Sequence, residues 1–226
     1  MKCLKYPGEL SSGNAEEQSM KVYFVRHGES TFNALGLHQH RHVSLSETGK
    51  KQAVFIAKRF ANIPIDIIIS SPETRAQQTT DTINAVLQKE IVYTEFLKEI
   101  KRPTVVERKS ISDPQVLEIK QSIDKYYKDK NWHYSDEENF SDLRRRAQTF
   151  ITFLEERKEE NVLVVTHGMI LRMIVASMFI EKEVTPDLFL QFERFFKTSN
   201  TGMTVCERSK ESGWQLLTWN DSAHLG

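Results

Sequence analysis

The chain has 226 residues, of which 39% are hydrophobic and 27% are charged. This is an ordinary balance for one globular domain with a large core. Thirty-one basic residues are offset by 31 acidic residues, so the formal net charge is zero. A neutral chain gives no reason to expect nucleic acid or an anionic membrane as a partner, and any basic site must be local.

The two cysteines, Cys3 and Cys206, lie near opposite ends of the chain and have no spacing typical of zinc ligands or of a disulfide framework. We therefore expect no metal and a reducing compartment. No apolar run approaches the roughly 20 residues that cross a bilayer, and residues 1–19 lack the apolar stretch of a signal peptide. The sequence predicts a cytoplasmic protein with no membrane partner.

The chain begins with residues 1–19, a polar segment rich in Ser, Gly, Glu and Gln without an apolar period. We interpret it as a flexible tail, and residues 20–226 as a single domain. The first strand is expected over 21–25, a short run of mostly β-branched and aromatic residues. A helix with apolar positions at helical spacing begins near Ser46 and ends before Pro64.

A second apolar strand, 65–69, precedes a helix over 73–87 with proline at its start. A weaker strand over 91–93 leads into 94–112, where charged residues mix with few periodic apolar ones. We interpret that segment as an irregular loop that could form a lid. The elements predicted after the loop are two helices, a buried strand, an apolar helix and three short strands, over 113–128, 139–158, 162–165, 169–179, 189–194, 203–207 and 215–219.

Strands that alternate with helices predict the α/β class, here a three-layer α/β/α sandwich with a mainly parallel central sheet. In such folds the reactive groups gather beyond the carboxyl ends of the strands. Three predicted strand ends carry arginine, histidine or both: Arg26 and His27 follow the first strand, Arg75 the second, and His167 the fourth. We expect these side chains to form one site.

A neutral imidazole can attack phosphorus and split hydrolysis into two steps through a phosphohistidine. His27 and His167 are therefore the nucleophile candidates, and His167 is better suited as a donor to the phosphoryl oxygens. Arg26 and Arg75 offer paired donors that match a phosphate edge, and their charge lowers the pKa of a neighbouring histidine. Gly28 removes a side chain where the backbone must turn and where an N–H could approach an oxygen.

Four segments carry these residues and their neighbours in a fixed order, and a fifth closes the chain. They are Arg26-His27-Gly28-Glu29-Ser30 with Asn33, Leu45-Ser46-Glu47-Thr48-Gly49, Ser70-Ser71-Pro72-Glu73-Thr74-Arg75-Ala76-Gln77-Gln78-Thr79, Val164-Val165-Thr166-His167-Gly168, and Trp214 to Trp219 with Asn220-Asp221 and His224-Leu225. Together they resemble the histidine phosphatase superfamily, also called the phosphoglycerate mutase-like family. A lone Arg-His-Gly is a weak signal, whereas this ordered set over residues 21–225 is specific.

The resemblance implies a phosphoglycerate mutase-like fold and a chemistry centred on His27, which would be phosphorylated. It further implies that Arg26, Arg75 and His167 hold the phosphate and that Asn33 adds a hydrogen bond. No metal and no organic cofactor are implied.

The family's proton donor is usually a glutamate in a Leu-x-Glu segment after the third strand, and Glu99 fits this position. Its implied role is to protonate the leaving oxygen and then, as a carboxylate, to activate water. Many relatives continue with a Gly-rich, Trp-containing stretch, whereas this chain has a basic one, which leaves Glu107 as a second candidate acid. The basic residues of the stretch are either a solvated surface or a site for a second phosphate or carboxylate of the substrate: Lys101, Arg102, Arg108 and Lys109.

Histidines alternate at His38, His40 and His42, and such an alternation can place imidazoles on one side of an extended segment to bind a transition metal. No cysteine or acidic ligand lies close by in the sequence, so we favour a variable polar loop. The resemblance places this loop near the mouth of the pocket, where one of its histidines could touch the substrate.

The leading functional prediction is a metal-independent phosphoric monoester hydrolase of the histidine acid phosphatase type. Its partner would be a small phosphorylated metabolite, with a phosphoprotein as second choice. A mutase is the first alternative, although it must shield its phosphohistidine from water and its longer substrate-loop pattern is not recognisable here. A non-catalytic module that binds phosphate esters or a partner protein is the second, and the intact set of arginines and histidines argues against it. The sequence leaves a monomer and a homodimer equally open.

Overall fold

The computed structural model describes residues 19–180 and 183–226. The predicted tail, residues 1–19, lies outside the described residues except for Ser19. The strands are β1 (Met20–Arg26), β2 (Ile67–Ser70), β3 (Ile91–Tyr93), β4 (Asn161–Thr166), β5 (Met203–Ser209) and β6 (Gly213–Asp221). The α-helices are α1 (Thr31–Leu35), α2 (Glu47–Phe60), α3 (Thr74–Leu87), α4 (Pro114–Lys125), α5 (Phe140–Glu155), α6 (Gly168–Phe179) and α7 (Pro186–Phe195).

The strands form one sheet in the order β3-β2-β4-β1-β5-β6. The pairs β3–β2, β2–β4 and β4–β1 are parallel, whereas β5 runs antiparallel to β1 and β6 antiparallel to β5. Val22 pairs with Val162 and Arg26 with Thr166, so β1 and β4 end side by side. The prediction of a mainly parallel sheet is confirmed.

Helices cover both faces of this sheet. Phe24 and Val164 face a core cluster that includes residues of α5, α6 and α7, whereas their neighbours Val25 and Val165 face a cluster that includes residues of α2 and α3. Successive side chains of a strand point to opposite faces, so strands covered on both faces become apolar at every position. The three-layer α/β/α sandwich predicted from the sequence is confirmed.

Each predicted strand and helix is found to within a few residues, with one exception, and the short helix α1 was not predicted. The strand predicted over 189–194 is wrong, because these residues belong to helix α7. Thr185 caps this helix by accepting a hydrogen bond from the backbone N–H of Leu188 at 3.4 Å, and Pro186 takes the first helical position. The aromatic residues that suggested a strand recur at helical spacing, and Phe189 is fully buried against the sheet.

The segment predicted as an irregular loop, 94–112, carries two short 3₁₀ turns, Glu95–Leu97 and Thr104–Val106. Its last part pairs with the loop after α1. The backbone N–H of His38 donates to the carbonyl of Lys109 at 2.9 Å, and the N–H of Arg108 donates to the carbonyl of His38 at 2.9 Å. Among the described residues, no helix has both the length and the apolar character needed to cross a bilayer.

Candidate active site

The four arginines and histidines predicted at strand ends converge at one edge of the sheet. His27 and His167 are 1% and 0% exposed, and their ring centroids lie 4.9 Å apart. Arg75 is 2% exposed although it carries a guanidinium. Full burial of such groups is rare unless they are paired, so this cluster is an organised polar site inside the protein.

His27 directly follows β1, and its ring has a defined orientation. Nδ1 lies 2.7 Å from the carbonyl oxygen of Gly28. Because a carbonyl can only accept, Nδ1 carries the proton of the neutral ring and Nε2 keeps its lone pair. Burial, reinforced by the charges of Arg75 and Arg26, holds the pKa of His27 well below its ordinary value. The site therefore presents a neutral imidazole whose Nε2 is unprotonated, as a nucleophile requires.

Two glycines allow the turn after His27 to lie against the start of α2. A Cβ on Gly28 would lie 2.6 Å from the carbonyl oxygen of Gly49, and a Cβ on Gly49 would lie 1.9 Å from that of Glu29. The N–H of Gly28 donates to the Thr79 hydroxyl at 3.1 Å, and Ser46 donates to the Glu29 carboxylate at 2.6 Å. Glu29 thus fixes the loop to the cap of α2.

Arg26 and His167 each direct a buried nitrogen that has no hydrogen-bond partner among the described residues, namely Arg26 Nε and His167 Nδ1. One other nitrogen of each side chain contacts the protein. Arg26 Nη1 donates to the carbonyl of Thr198 at 2.7 Å, and His167 Nε2 lies 2.8 Å from Ser71 Oγ. Unpaired buried polar groups cost free energy, so such atoms mark a place where a ligand would supply the missing partner.

Arg75 lies at the centre of the site and contacts three other residues. Its Nε donates to Nε2 of His27 at 3.2 Å, and its Nη1 donates to the carbonyl of His40 at 3.3 Å. Its Nη2 forms an ion pair with Glu73, whose carboxylate also lies 3.4 Å from Nε2 of His167. Glu73 was not predicted as a site residue, although it stands in the segment that carries Arg75.

The predicted acid Glu99 lies against the N-terminus of α6, the helix that His167 caps. Its carboxylate accepts hydrogen bonds from the backbone N–H groups of Met169 at 3.1 Å, Ile170 at 3.3 Å and Ile100 at 3.0 Å. The first N–H groups of a helix lack intrahelical partners and favour an anion, so α6 holds this carboxylate in place beside His167.

Arg146 of α5 clamps the backbone that carries Glu99. Its Nη1 donates to the carbonyls of Phe96 at 2.9 Å and Lys98 at 2.6 Å. Its other nitrogens donate to Glu138 at 2.7 and 2.6 Å. Sequence reasoning missed Arg146, because it contacts a segment about 50 residues away and stands in no recognisable motif.

Asn33 completes the cap of α1. Its side-chain oxygen accepts from the backbone N–H of Ser30 at 3.2 Å, while its own N–H donates to the Ser30 hydroxyl at 3.0 Å. The same hydroxyl donates to the side chain of Gln39 at 2.9 Å. Asn33 therefore has a local structural role, and its hydrogen bond to phosphate stays a prediction.

A pocket of about 620 Å³ opens above this cluster. Most of its lining is charged or polar: Leu37, His38, Gln39, His40, Arg41, Glu73, Arg75, Glu95, Lys98, Glu99, Ile100, Lys101, Arg102, Glu107, Glu138, Arg146 and Met169. It therefore contains both candidate acids, the rim residue Arg102 and two histidines of the alternating segment.

Some cationic side chains of the pocket form ion pairs with acidic residues, and others form none within residues 19–180 and 183–226. Lys98 pairs with Glu95, and the ammonium of Lys101 lies 2.9 Å from Asp136. Arg102 is exposed, and its side chain makes no hydrogen bond or ion pair with the residues that the structure describes. No group of three or more His, Cys, Asp or Glu side chains in the described parts of the chain is arranged to hold a metal ion.

Comparisons with known proteins identify the family of the chain. The family model of the histidine phosphatase superfamily (branch 1) matches residues 22–222. The chain is 26% identical to a metal-independent phosphoserine phosphatase of Arabidopsis thaliana over 93% of the chain and 85% of the relative. It is also 26% identical to a probable phosphoglycerate mutase of Erwinia tasmaniensis, over 91% of the chain and 95% of the relative. A mutant phosphoserine phosphatase of Entamoeba histolytica, solved with phosphoserine, superposes with a TM-score of 0.73 at 23% identity and covers 92% of this chain and all of that one.

Proposed function

The chain belongs to branch 1 of the histidine phosphatase superfamily, and we propose that it hydrolyses the phosphate monoester of a small metabolite through a phosphohistidine on His27. The observation that carries this proposal is the position of His27 Nε2, whose lone pair faces Arg75 in a buried cluster of donors. Phosphoryl transfer needs an aligned nucleophile and fixed donors around the phosphoryl oxygens, and both are present.

In the first step, Nε2 of His27 attacks phosphorus while the bond from phosphorus to the ester oxygen breaks. Arg26, Arg75 and His167 donate hydrogen bonds to the equatorial oxygens, and the nitrogens of Arg26 and His167 that lack protein partners are suited to this. Glu99 gives its proton to the leaving oxygen, so an alcohol departs and the phosphoryl group stays on His27.

In the second step, Glu99 is a carboxylate and takes a proton from a water molecule that attacks the phosphohistidine. The bond from Nε2 of His27 to phosphorus breaks, inorganic phosphate forms, and Glu99 is again protonated for the next cycle. Neither step uses a metal, so we propose a metal-independent enzyme.

The pocket supports a small substrate with a second anionic group. About 620 Å³ is enough for a phosphorylated metabolite but not for a folded protein segment. Arg102 on the rim has no partner of its own in the described chain, so it is suited to a carboxylate or a second phosphate. The relatives named for phosphoserine and phosphoglycerate act, by their names, on esters that carry a carboxylate.

A mutase is the second candidate, and the similarity to a phosphoglycerate mutase favours it. A mutase must keep water away from the phosphohistidine long enough to return the phosphoryl group. The rim residues Lys101 and Arg102 are exposed, so the pocket is open to water and hydrolysis is favoured.

The proposal is tested by incubating the protein with a panel of phosphorylated metabolites, phosphoserine and 3-phosphoglycerate among them, and measuring released phosphate. We expect turnover of one or a few esters, loss of it in His27→Ala, and unchanged turnover in His133→Ala, a control at an exposed histidine. Equal turnover by wild type and His27→Ala would refute the proposed nucleophile. Isomerisation of 3-phosphoglycerate without phosphate release would establish the mutase instead.

We also propose that the enzyme acts in the cytoplasm, as a monomer or a homodimer. The thiol of Cys206 is buried and free, which suits a reducing compartment. Light scattering during size-exclusion chromatography distinguishes the two oligomeric states, and any larger assembly would contradict the proposal.

A further inference from the structure

Glu73 is a buried carboxylate inside the phosphate-binding cluster, and the mechanism above does not use it. The residue is 8% exposed and lies directly before α3. Although it occupies the cap position of α3, its side chain makes no capping hydrogen bond. The carboxylate points instead into the site, so the stability of the helix does not explain why a glutamate stands there.

The carboxylate contacts two of the groups assigned to the phosphate. It forms an ion pair with Nη2 of Arg75 and lies 3.4 Å from Nε2 of His167. A phosphoryl group on His27 would bring further negative charge next to Arg75. Two anions that share one guanidinium at this range repel each other, and burial strengthens the repulsion.

On the basis of the proposed function, we propose that Glu73 is an internal counter-ion that competes with the phosphoryl group for Arg75. In the free enzyme it neutralises the buried guanidinium. When the phosphate dianion binds, Glu73 either takes up a proton or gives up its contact with Arg75. Glu73 therefore weakens the binding of phosphate and assists its release after hydrolysis.

The surroundings of Glu73 make its charge sensitive to pH. Burial raises the pKa of Glu73 and Glu99 adds to this, whereas Arg75, Lys98 and Arg146 oppose it. His167, which caps α6, faces the same carboxylate but is itself held neutral by burial. A group with a raised pKa protonates as the pH falls from neutrality, so the competition between Glu73 and phosphate weakens in the same direction.

The test is the affinity for sulfate, which remains a dianion between pH 5 and 8, measured calorimetrically for wild type and Glu73→Gln. At pH 7.5 we expect the variant to bind sulfate about tenfold more tightly, since one like charge is removed at contact range. The two affinities should converge as the pH falls, since Glu73 of the wild type takes up a proton in that direction. Binding does not require turnover, so a failure of the proposed hydrolysis would leave this comparison intact.

Two further variants keep the result interpretable. Glu73→Ser removes the same charge and supplies a favourable cap for α3, so it should fold and repeat the gain. Asp124→Asn removes one charge from an exposed ion pair with Lys120 on α4, outside the pocket, and its effect should stay below about twofold. Equal or weaker binding by both Glu73 variants at pH 7.5 would overturn the proposal, because Glu73 would then hold Arg75 ready for phosphate. An equal gain in Asp124→Asn, or no sulfate binding by any variant, would also overturn it.

Discussion

The guanidinium of Arg75 donates through Nε to Nε2 of His27 at 3.2 Å, so the proposed nucleophile and the guanidinium proposed to bind the phosphate are in direct contact. This contact has two effects. Burial and the charge of Arg75 together lower the pKa of His27, and the contact places a donor next to the atom that is proposed to attack phosphorus. In the proposed mechanism, activation of the nucleophile and stabilisation of the transition state thus depend on the same side chain.

Replacing Arg75 by lysine should therefore lower the activity strongly, although the positive charge is kept. Lysine offers one compact ammonium and cannot contact His27, His40 and Glu73 at the same time as a guanidinium does. We expect kcat/KM to fall by about 10²–10³-fold. The matched control is Arg59→Lys, at the ion pair with Asp221, which should change kcat/KM less than about twofold. Similar activities of the two variants would show that charge alone suffices.

The two candidate acids can be separated by substituting each with glutamine. Glu99 is held by backbone N–H groups beside His167, whereas Glu107 lies on the loop that forms the rim. We expect Glu99→Gln to lower kcat by about 10²–10⁴-fold, the contribution of a general acid–base group. Glu107→Gln should retain kcat within about threefold. If Glu107 contacts the substrate, the substitution should change KM instead. The reverse pattern in steady-state kinetics would assign the proton donor to Glu107.

Arg146 should act on catalysis through Glu99 rather than through the substrate. Arg146→Met removes the clamp on the carbonyls of Phe96 and Lys98, so we expect kcat to fall by about 10–100-fold with little change in KM. Arg146→Lys should restore part of the loss. Arg145→Met, at an exposed position of the same helix, is the control and should keep kcat within about twofold. If Arg146→Met and Arg145→Met had the same kcat, Arg146 would not be needed to position Glu99.

The protonation states of the buried histidines can be read directly by NMR. Burial holds the pKa values of His27 and His167 well below the ordinary value, so both imidazoles should stay neutral as the pH falls from 8 through 6.5. His133 is the internal control. Its contact with Asp142 raises its pKa, so as the pH falls it should take up a proton earlier than an ordinary histidine does. The NMR signal of His27 is assigned as the one that is absent from His27→Gln. If this signal titrated at or above pH 6.5, the nucleophile would not be neutral as proposed.

The central site was predictable because its residues stand directly at strand ends. The predicted strands 21–25 and 162–165 are short, mostly apolar runs, and a parallel sheet brings their carboxyl ends together. Local patterns therefore sufficed to place Arg26, His27 and His167 at one edge. The family match over residues 22–222 confirms the recognition that these motifs allowed.

Features that depend on tertiary approach were not predictable in the same way. The clamp by Arg146 spans about 50 residues, and the role of Glu73 depends on a carboxylate that points into the site instead of capping α3. The error over 189–194 has a different cause. Phenylalanines favour strands in isolation. Thr185 and Pro186, a capping residue followed by a proline, indicate the start of a helix instead.

The central claim, a phosphoryl group carried by Nε2 of His27, is tested most directly by trapping the intermediate. The protein is mixed with a ³²P-labelled substrate found by the metabolite panel, quenched in base within milliseconds, and digested for mass spectrometry. The account predicts a label that survives base, is lost in acid, maps to His27 and is absent from His27→Ala. A label on any other residue, or one that persists in His27→Ala, would contradict it.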